Sequence, residues 1–191
     1  MKRIGILGGT FNPIHIGHLV IAQMVQEKMR LDKIIFVPCY LPPHKSNAGI
    51  LPAAYRFHMV RLAIQDNPLF DVSGVEIQRK GKSYTIETLQ YFRKNFSPST
   101  QLYFIMGGDM LTGLRRWKGI KDIFKIVTFI VVKRPGSSIK KLGFSYHLID
   151  GPGIDISSSF LRNRIAHGKT TKYLVPDAVD TYINKHRLFK S

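Results

Sequence analysis

The sequence predicts an α/β fold, a mostly parallel sheet covered by helices on both faces. Three observations predict it. Short β-rich runs alternate with longer amphipathic runs along the whole chain, the pattern of strands joined by crossover helices. The runs ending at Leu7 and Met106 pass directly into Gly8-Gly9 and Gly107-Gly108, and parallel sheets bind ligands beyond the carboxyl ends of their strands. With 191 residues, 44% of them hydrophobic, the chain is long enough to bury a core without metals or disulfides.

Each element has a local reason. Lys2–Leu7 reads as a buried strand, and Gly8–Pro13 as a glycine-containing turn. Ile16–Met29 reads as a helix, with Leu19, Val20, Met24 and Val25 at core-facing spacing. Lys33–Val37 is a second strand, ended by Pro38, and Cys39–Pro52 is a proline-rich loop whose length and prolines suit a hinged lid. Ala53–Ile64 is helical, Asp71–Gln78 a strand, Arg79–Lys82 a basic turn and Thr85–Lys94 a helix. Leu102–Met106 and Ile126–Val132 are strands of the fully buried type. Ser157–Ala166 and Asp177–His186 close the chain as helices. The expected organisation is one domain, 1–191, with a C-terminal helical part from about 156 packed on it.

Composition narrows the class. Charged residues make up 21%, which is ordinary globular usage and argues against disorder, collagen and coiled coil. No apolar run is long enough to span a bilayer, and the N-terminal apolar stretch is too short for a signal peptide. The single cysteine, Cys39, excludes an intrachain disulfide and a cysteine-rich zinc site. The expectation is a soluble cytoplasmic protein. Its charge is the unusual feature. The formal net charge is +17, of which +6 falls in residues 1–114 and +11 in residues 115–191. Such a surface attracts anions, whether nucleic acid, anionic membrane or phosphorylated metabolites, although it says nothing about fold or chemistry. The basic residues are not interleaved with an aromatic stacking platform, which disfavours nucleic acid as the partner.

The chemistry lies after the first strand, in Gly8-Gly9-Thr10-Phe11-Asn12-Pro13-Ile14-His15-Ile16-Gly17-His18. No Gly-Lys-Ser/Thr follows the glycines, so this is not a Walker loop, and the spacing is wrong for the dinucleotide fingerprint. Glycines without side chains still let backbone N–H groups approach a phosphate. His15 and His18 share one face at the start of a helix, where the partial positive charge favours an anion. Two imidazoles there can donate to phosphate oxygens and stabilise charge developing in a transition state. A two-histidine metal site is the weaker reading, since no carboxylate lies within one turn.

This segment resembles the His-x-Gly-His signature of the nucleotidyltransferase superfamily. Ile156-Ser157-Ser158-Ser159-Phe160-Leu161-Arg162 is similar to that superfamily's second element, Ile-Ser-Ser-Thr-x-Ile-Arg. Further segments resemble the bacterial nicotinate-mononucleotide adenylyltransferases: Pro42-Pro43-His44-Lys45, the stretch from Arg79 to Leu89, Met106–Leu111 with Trp117, and Gly168-Lys169 to Tyr173–Pro176. The resemblance spans essentially the whole chain. Asn12 stands where that family commonly has Asp, Ser159 where it has Thr, and Leu161 where it has Ile.

The resemblance implies a Rossmann-like nucleotidyltransferase fold. It also implies transfer of an adenylyl group from ATP to nicotinate mononucleotide, giving nicotinate adenine dinucleotide and pyrophosphate, with Mg²⁺ bound through the phosphates and no side-chain metal site. His15, His18, Lys45 and Arg162 would then meet the phosphates. Gly8, Gly9, Thr10, Phe11 and Gly17 would line their path. Gly107, Asp109, Ile156 and Ser158 would hold the adenosine, and Thr85, Trp117 and Arg134 the nicotinate nucleotide. The substrate phosphate is already ionised at neutral pH, so no general base is needed, and catalysis rests on positioning and charge neutralisation. N–H groups where Thr85 opens a helix can hold a carboxylate, which would favour the acid over the amide. Trp117 can stack on the pyridine ring. Rival readings are a phosphopantetheine adenylyltransferase of the same fold, a nucleic-acid-binding protein and a nucleotide sensor without turnover. An oligomer is possible, of unspecified size.

Overall fold

The computed structural model describes residues 1–43, 48–133 and 143–190. Among these residues six strands form one sheet: β1 (Arg3–Gly9), β2 (Lys33–Pro38), β3 (Phe70–Val72), β4 (Gln101–Gly107), β5 (Thr128–Lys133) and β6 (Tyr146–Asp150). Their order is β3-β2-β1-β4-β5-β6, and every pairing is parallel. The helices are α1 (Ile16–Met29), α2 (Ala53–Ile64), α3 (Val75–Arg79), α4 (Thr85–Asn95), α5 (Ile120–Ile126), α6 (Ser158–Ala166) and α7 (Asp177–Lys185). A 3₁₀ stretch, Gly108–Arg116, follows β4.

Alternation along the strands builds a core on each face. Leu7, Ile34, Phe36, Ile105, Ile130 and Val132 pack with Ala22 and Val25 of α1, Met59 and Val60 of α2, Leu161 of α6 and Val179 of α7. Their neighbours Ile6, Ile35, Val37, Phe104, Met106, Phe129 and Val131 pack with Val75, Leu89, Phe92 and Ile123 of α3, α4 and α5. Successive strand residues point to opposite faces, and strands buried on both faces read as the apolar runs seen in the sequence. Both C-terminal helices belong to the first core.

The strand expected over Asp71–Gln78 is corrected. β3 stops at Val72, where the Ser73 N–H donates to the Phe36 carbonyl at 2.9 Å. The chain then turns into α3, with the Gln78 N–H donating to the Gly74 carbonyl at 2.9 Å. One buried carboxylate explains the choice. In α3 the Glu76 side chain points inward and accepts from the Thr88 hydroxyl of α4 at 2.5 Å, a partner that a buried acid needs. β6 is an addition that the sequence pattern does not indicate.

The sheet order creates the crevice. β2 and β3 lie to one side of β1, and β4, β5 and β6 to the other. β1 and β4 are paired only as far as Leu7 and Ile105. Beyond that point Gly8 and Gly9 remain paired with β2 and Gly107 with β5. The two central strands thus part company at their carboxyl ends, the topological switch point at which open parallel sheets bind ligands.

Candidate active site

The turn from Thr10 to Ile14 leaves β1 at this point and delivers His15 as the N-cap of α1. Phe11 has φ +49, a left-handed conformation that costs a bulky residue about 1–2 kcal/mol. Its ring lies over Gly9, where a Cβ would stand 2.8 Å from the ring, so residue 9 has to be glycine. The same ring meets His18 edge-on at 5.1 Å and Phe36 at 5.9 Å.

His15 and His18 come together as their spacing requires, with ring centroids 3.8 Å apart. A Cβ on Gly17 would stand 3.1 Å from the His15 ring, which accounts for the glycine between them. The His15 backbone N–H donates to His18 Nδ1 at 3.3 Å. In the neutral ring that bond leaves the proton on Nε2, free to donate. Burial lowers the pKa of His15 to about 4. Burial, with the neighbouring His15 second, lowers that of His18 to about 3. Both rings are therefore neutral donors at pH 7 in the free protein, at a helix start with no acidic residue in its first turn. An anion bound there would favour their charged forms.

The two signatures, far apart in the chain, meet at this turn. Ser157 caps α6 by accepting from the Phe160 N–H at 3.1 Å. The Ser158 hydroxyl donates to the Pro13 carbonyl at 2.8 Å. Arg162 donates to the Asn12 carbonyl at 2.9 Å and to the Ser159 hydroxyl at 3.1 Å. Its fork is thereby aimed along the turn, with donors to spare. Ile156 is half-buried against the first core.

Asn12 is 4% exposed and ties the turn to the end of the long loop. Its amide nitrogen donates to the Gly49 carbonyl at 2.9 Å, and its amide oxygen accepts from the Leu51 N–H at 3.1 Å. An ionised aspartate could not make the first bond, so the departure from the family pattern has a structural use. Arg56 is invisible to sequence reasoning. It is fully buried and donates to the carbonyls of Leu51, Thr10 and Tyr40 at 2.9, 2.8 and 2.9 Å. Cys39 is buried beside it, and burial pushes its thiol up, so it is no accessible nucleophile.

The other candidates stand on separate elements. Gly107 ends β4, and the exposed Asp109 folds its carboxylate back over it. Thr85 opens α4. Trp117 is half-buried, its ring edge-on to Phe104 at 5.8 Å. Lys118 beside it bonds Glu87 of α4 at 2.9 Å and lies 4.4 Å over the Tyr84 ring. Glu87 also meets Arg79 at 3.3 Å, so the tryptophan segment is fastened to the start of α4. Lys133 pairs with Asp150 at 3.1 Å. Lys45 and Arg134 lie outside the described residues. His58 and His186 both pack on Tyr182, away from this site. Among the described residues no helix is long and apolar enough to cross a membrane.

Comparison with known proteins gives the family. A model of the cytidylyltransferase-like family matches residues 6–164, which include the turn, the histidine pair and Arg162. A protein of Lactiplantibacillus plantarum described as a probable nicotinate-nucleotide adenylyltransferase is 45% identical over 189 residues, covering 99% of this chain and 89% of its own. A Thermoanaerobacter protein of the same description is 42% identical over 199 residues, covering 98% and 94%. The fold matches that of Plasmodium falciparum nicotinic acid mononucleotide adenylyltransferase, solved in complex with NaAD, with a TM-score of 0.81 at 22% identity over 99% of this chain and 98% of that one. With its two signatures joined at one turn and these relatives aligned from end to end, the chain belongs to the cytidylyltransferase-like family, among the nicotinate-nucleotide adenylyltransferases.

Proposed function

We propose that this protein transfers the adenylyl group of ATP to the phosphate of nicotinate mononucleotide, releasing pyrophosphate and nicotinate adenine dinucleotide. The observation that carries the reading is the convergence of His15, His18, Ser158 and Arg162 on one turn at the sheet's switch point. His15, His18 and Arg162 offer N–H groups, the Ser158 hydroxyl proton is held by the Pro13 carbonyl, and none of the four is a base poised against a nucleophile. That inventory suits a reaction whose nucleophile is already ionised.

In this reading the triphosphate lies along Gly8–Phe11, with His15, His18 and Arg162 donating to it and Lys45 adding charge. His18 faces the α-phosphate, where charge develops. Attack by the nicotinate nucleotide's phosphate oxygen forms the new P–O bond as the bond to pyrophosphate breaks. Donors already in place as charge builds are worth far more than donors that must reorganise. The adenosine rests against Gly107, Asp109, Ile156 and Ser158, with the Asp109 carboxylate accepting from ribose hydroxyls. The nicotinate carboxylate meets the start of α4 at Thr85, the pyridine ring stacks on Trp117, and Arg134 is the further contact.

Among the described residues no three His, Cys, Asp or Glu side chains cluster to hold a metal. A Mg²⁺, which prefers oxygen ligands and retained water, would be carried on the substrate phosphates and would neutralise charge on the leaving pyrophosphate. The test is pyrophosphate release with ATP and Mg²⁺ on nicotinate mononucleotide, nicotinamide mononucleotide and phosphopantetheine in parallel. Turnover strongly favouring the first is expected. Equal turnover of acid and amide would keep the reaction and sink the role of Thr85. No turnover on any of them would overturn the reading.

A further inference from the structure

Arg56 is the most deeply buried cation in the described structure, with no exposed surface, and no carboxylate lies within ion-pair distance of it among the described residues. Burial works against its charge, with Cys39 and Glu76 opposing that effect. Three neutral carbonyls are its direct partners. A buried guanidinium so placed is a poor source of stability compared with an apolar side chain of similar volume. Its geometry is specific instead. Nε, Nη1 and Nη2 each reach a different segment: Leu51 at the end of the long loop, Thr10 in the turn and Tyr40 just after β2.

The Thr10 bond has a directional consequence. In a trans peptide the carbonyl and the following N–H point opposite ways, and the Thr10–Phe11 peptide is trans, Asn12-Pro13 being the cis bond among the described residues. Holding the Thr10 carbonyl toward α2 therefore turns the Phe11 N–H away from α2. That N–H has no hydrogen-bond partner among the described residues, although Phe11 is 2% exposed. An unpaired donor in a buried turn costs free energy. It is what an anion site leaves open.

We propose that Arg56 is a positioning residue for the anion turn: its three-carbonyl clamp holds the Thr10–Phe11 peptide so that the Phe11 N–H is presented to a phosphate of the bound nucleotide. The proposal rests on the adenylyl-transfer reading for its kinetic consequence and on anion binding alone for its structural one. Only arginine suffices, because its planar fork serves three acceptors at once, whereas lysine retains the charge without the fork.

The experiment compares the wild type with Arg56→Lys and Arg56→Gln, measuring thermal unfolding, calorimetric affinity for tripolyphosphate, and kcat and KM for both substrates. Arg56→Lys should unfold cooperatively, bind tripolyphosphate about 10-fold more weakly and lose about 10²-fold in kcat, the scale of a misplaced contact. Its KM for nicotinate mononucleotide should not move. A purely structural arginine would lower the melting temperature and leave kcat and anion affinity intact below it, and that result overturns the proposal. Should the variants not fold, NMR of the wild type decides. The Phe11 amide and the Arg56 Nε–H signals should shift along one saturating curve as tripolyphosphate is added, and a silent Phe11 amide contradicts the clamp. A wild type that binds tripolyphosphate but turns over none of the acceptors defeats the functional reading alone, and the affinities of the variants still judge the clamp.

Discussion

Arg162 donates to the backbone carbonyl of Asn12 at 2.9 Å across 150 residues of sequence. That bond joins the two signature segments physically. Arg162 is half-buried, and its guanidinium also holds the Ser159 hydroxyl at 3.1 Å, so its position is set before any nucleotide arrives. Preset charge of this kind is what lowers a barrier in phosphoryl and nucleotidyl transfer.

Replacing Arg162 with lysine should retain the charge and lose the fork. One ammonium cannot hold the Asn12 carbonyl, the Ser159 hydroxyl and a phosphate in the same geometry. Steady-state kinetics should show kcat/KM falling about 10²-fold, with stability lower by about 1–2 kcal/mol for the lost charged hydrogen bonds. Unchanged kinetics would remove Arg162 from the site.

The histidine pair should leave a mark on acid stability. Both rings have pKa values lowered on folding, to about 4 and about 3, from an unfolded value near 6.5. Above about pH 6.5 both states hold neutral imidazole and the pair contributes no pH dependence. As the pH falls through 6.5 the unfolded chain takes up protons that the folded one refuses, so stability falls until about pH 4 to 3. The loss is on the order of a few kcal/mol, at about 1.4 kcal/mol per unit. Urea midpoints across that window should flatten in His15→Asn, and an unchanged slope would contradict the burial of the pair.

Much of this is legible in sequence because local and tertiary preferences agree. α1 and α2 occupy the spans expected from apolar spacing and from the punctuation around them. Gly9, Gly17 and the histidines mark the candidate site because backbone and ring crowding there admit few alternatives. β6 is not legible. It is an edge strand whose only buried residue is Ile149, with Leu148 exposed, so no apolar run marks it. α3 reads as strand because its inward residue is a glutamate satisfied by Thr88 from another helix. Arg56 carries no local signal of its role, since its acceptors are Leu51 and Tyr40 at the two ends of the long loop and Thr10 in the turn after β1.

Asn12 gives a sharper test of the loop clip. Asn12→Asp would set a carboxylate oxygen against the Gly49 carbonyl that the amide now bonds at 2.9 Å. With the site almost fully buried, the expected loss is about 1–3 kcal/mol by chemical denaturation at pH 7. The deficit should shrink at acid pH, because the variant's carboxyl group, once protonated, regains a donor. A neutral substitution would show that the clip is dispensable.

Trp117 is the only tryptophan, so its fluorescence reports one place. Half-buried against Phe104, it should show saturable quenching with nicotinate mononucleotide, and Trp117→Ala should raise KM for that substrate about 10-fold or more while leaving KM for ATP in place. Fluorescence that ignores the nicotinate nucleotide would assign the ring to the core.

The most direct test of the central claim is a crystal structure with a non-hydrolysable ATP analogue. Its triphosphate should lie beyond Gly8 and Gly9, between the ends of β1 and β4, with oxygens within hydrogen-bond distance of His15, His18 and Arg162. A triphosphate bound elsewhere, for example on the basic surface that follows residue 114, with the turn unoccupied, would contradict it.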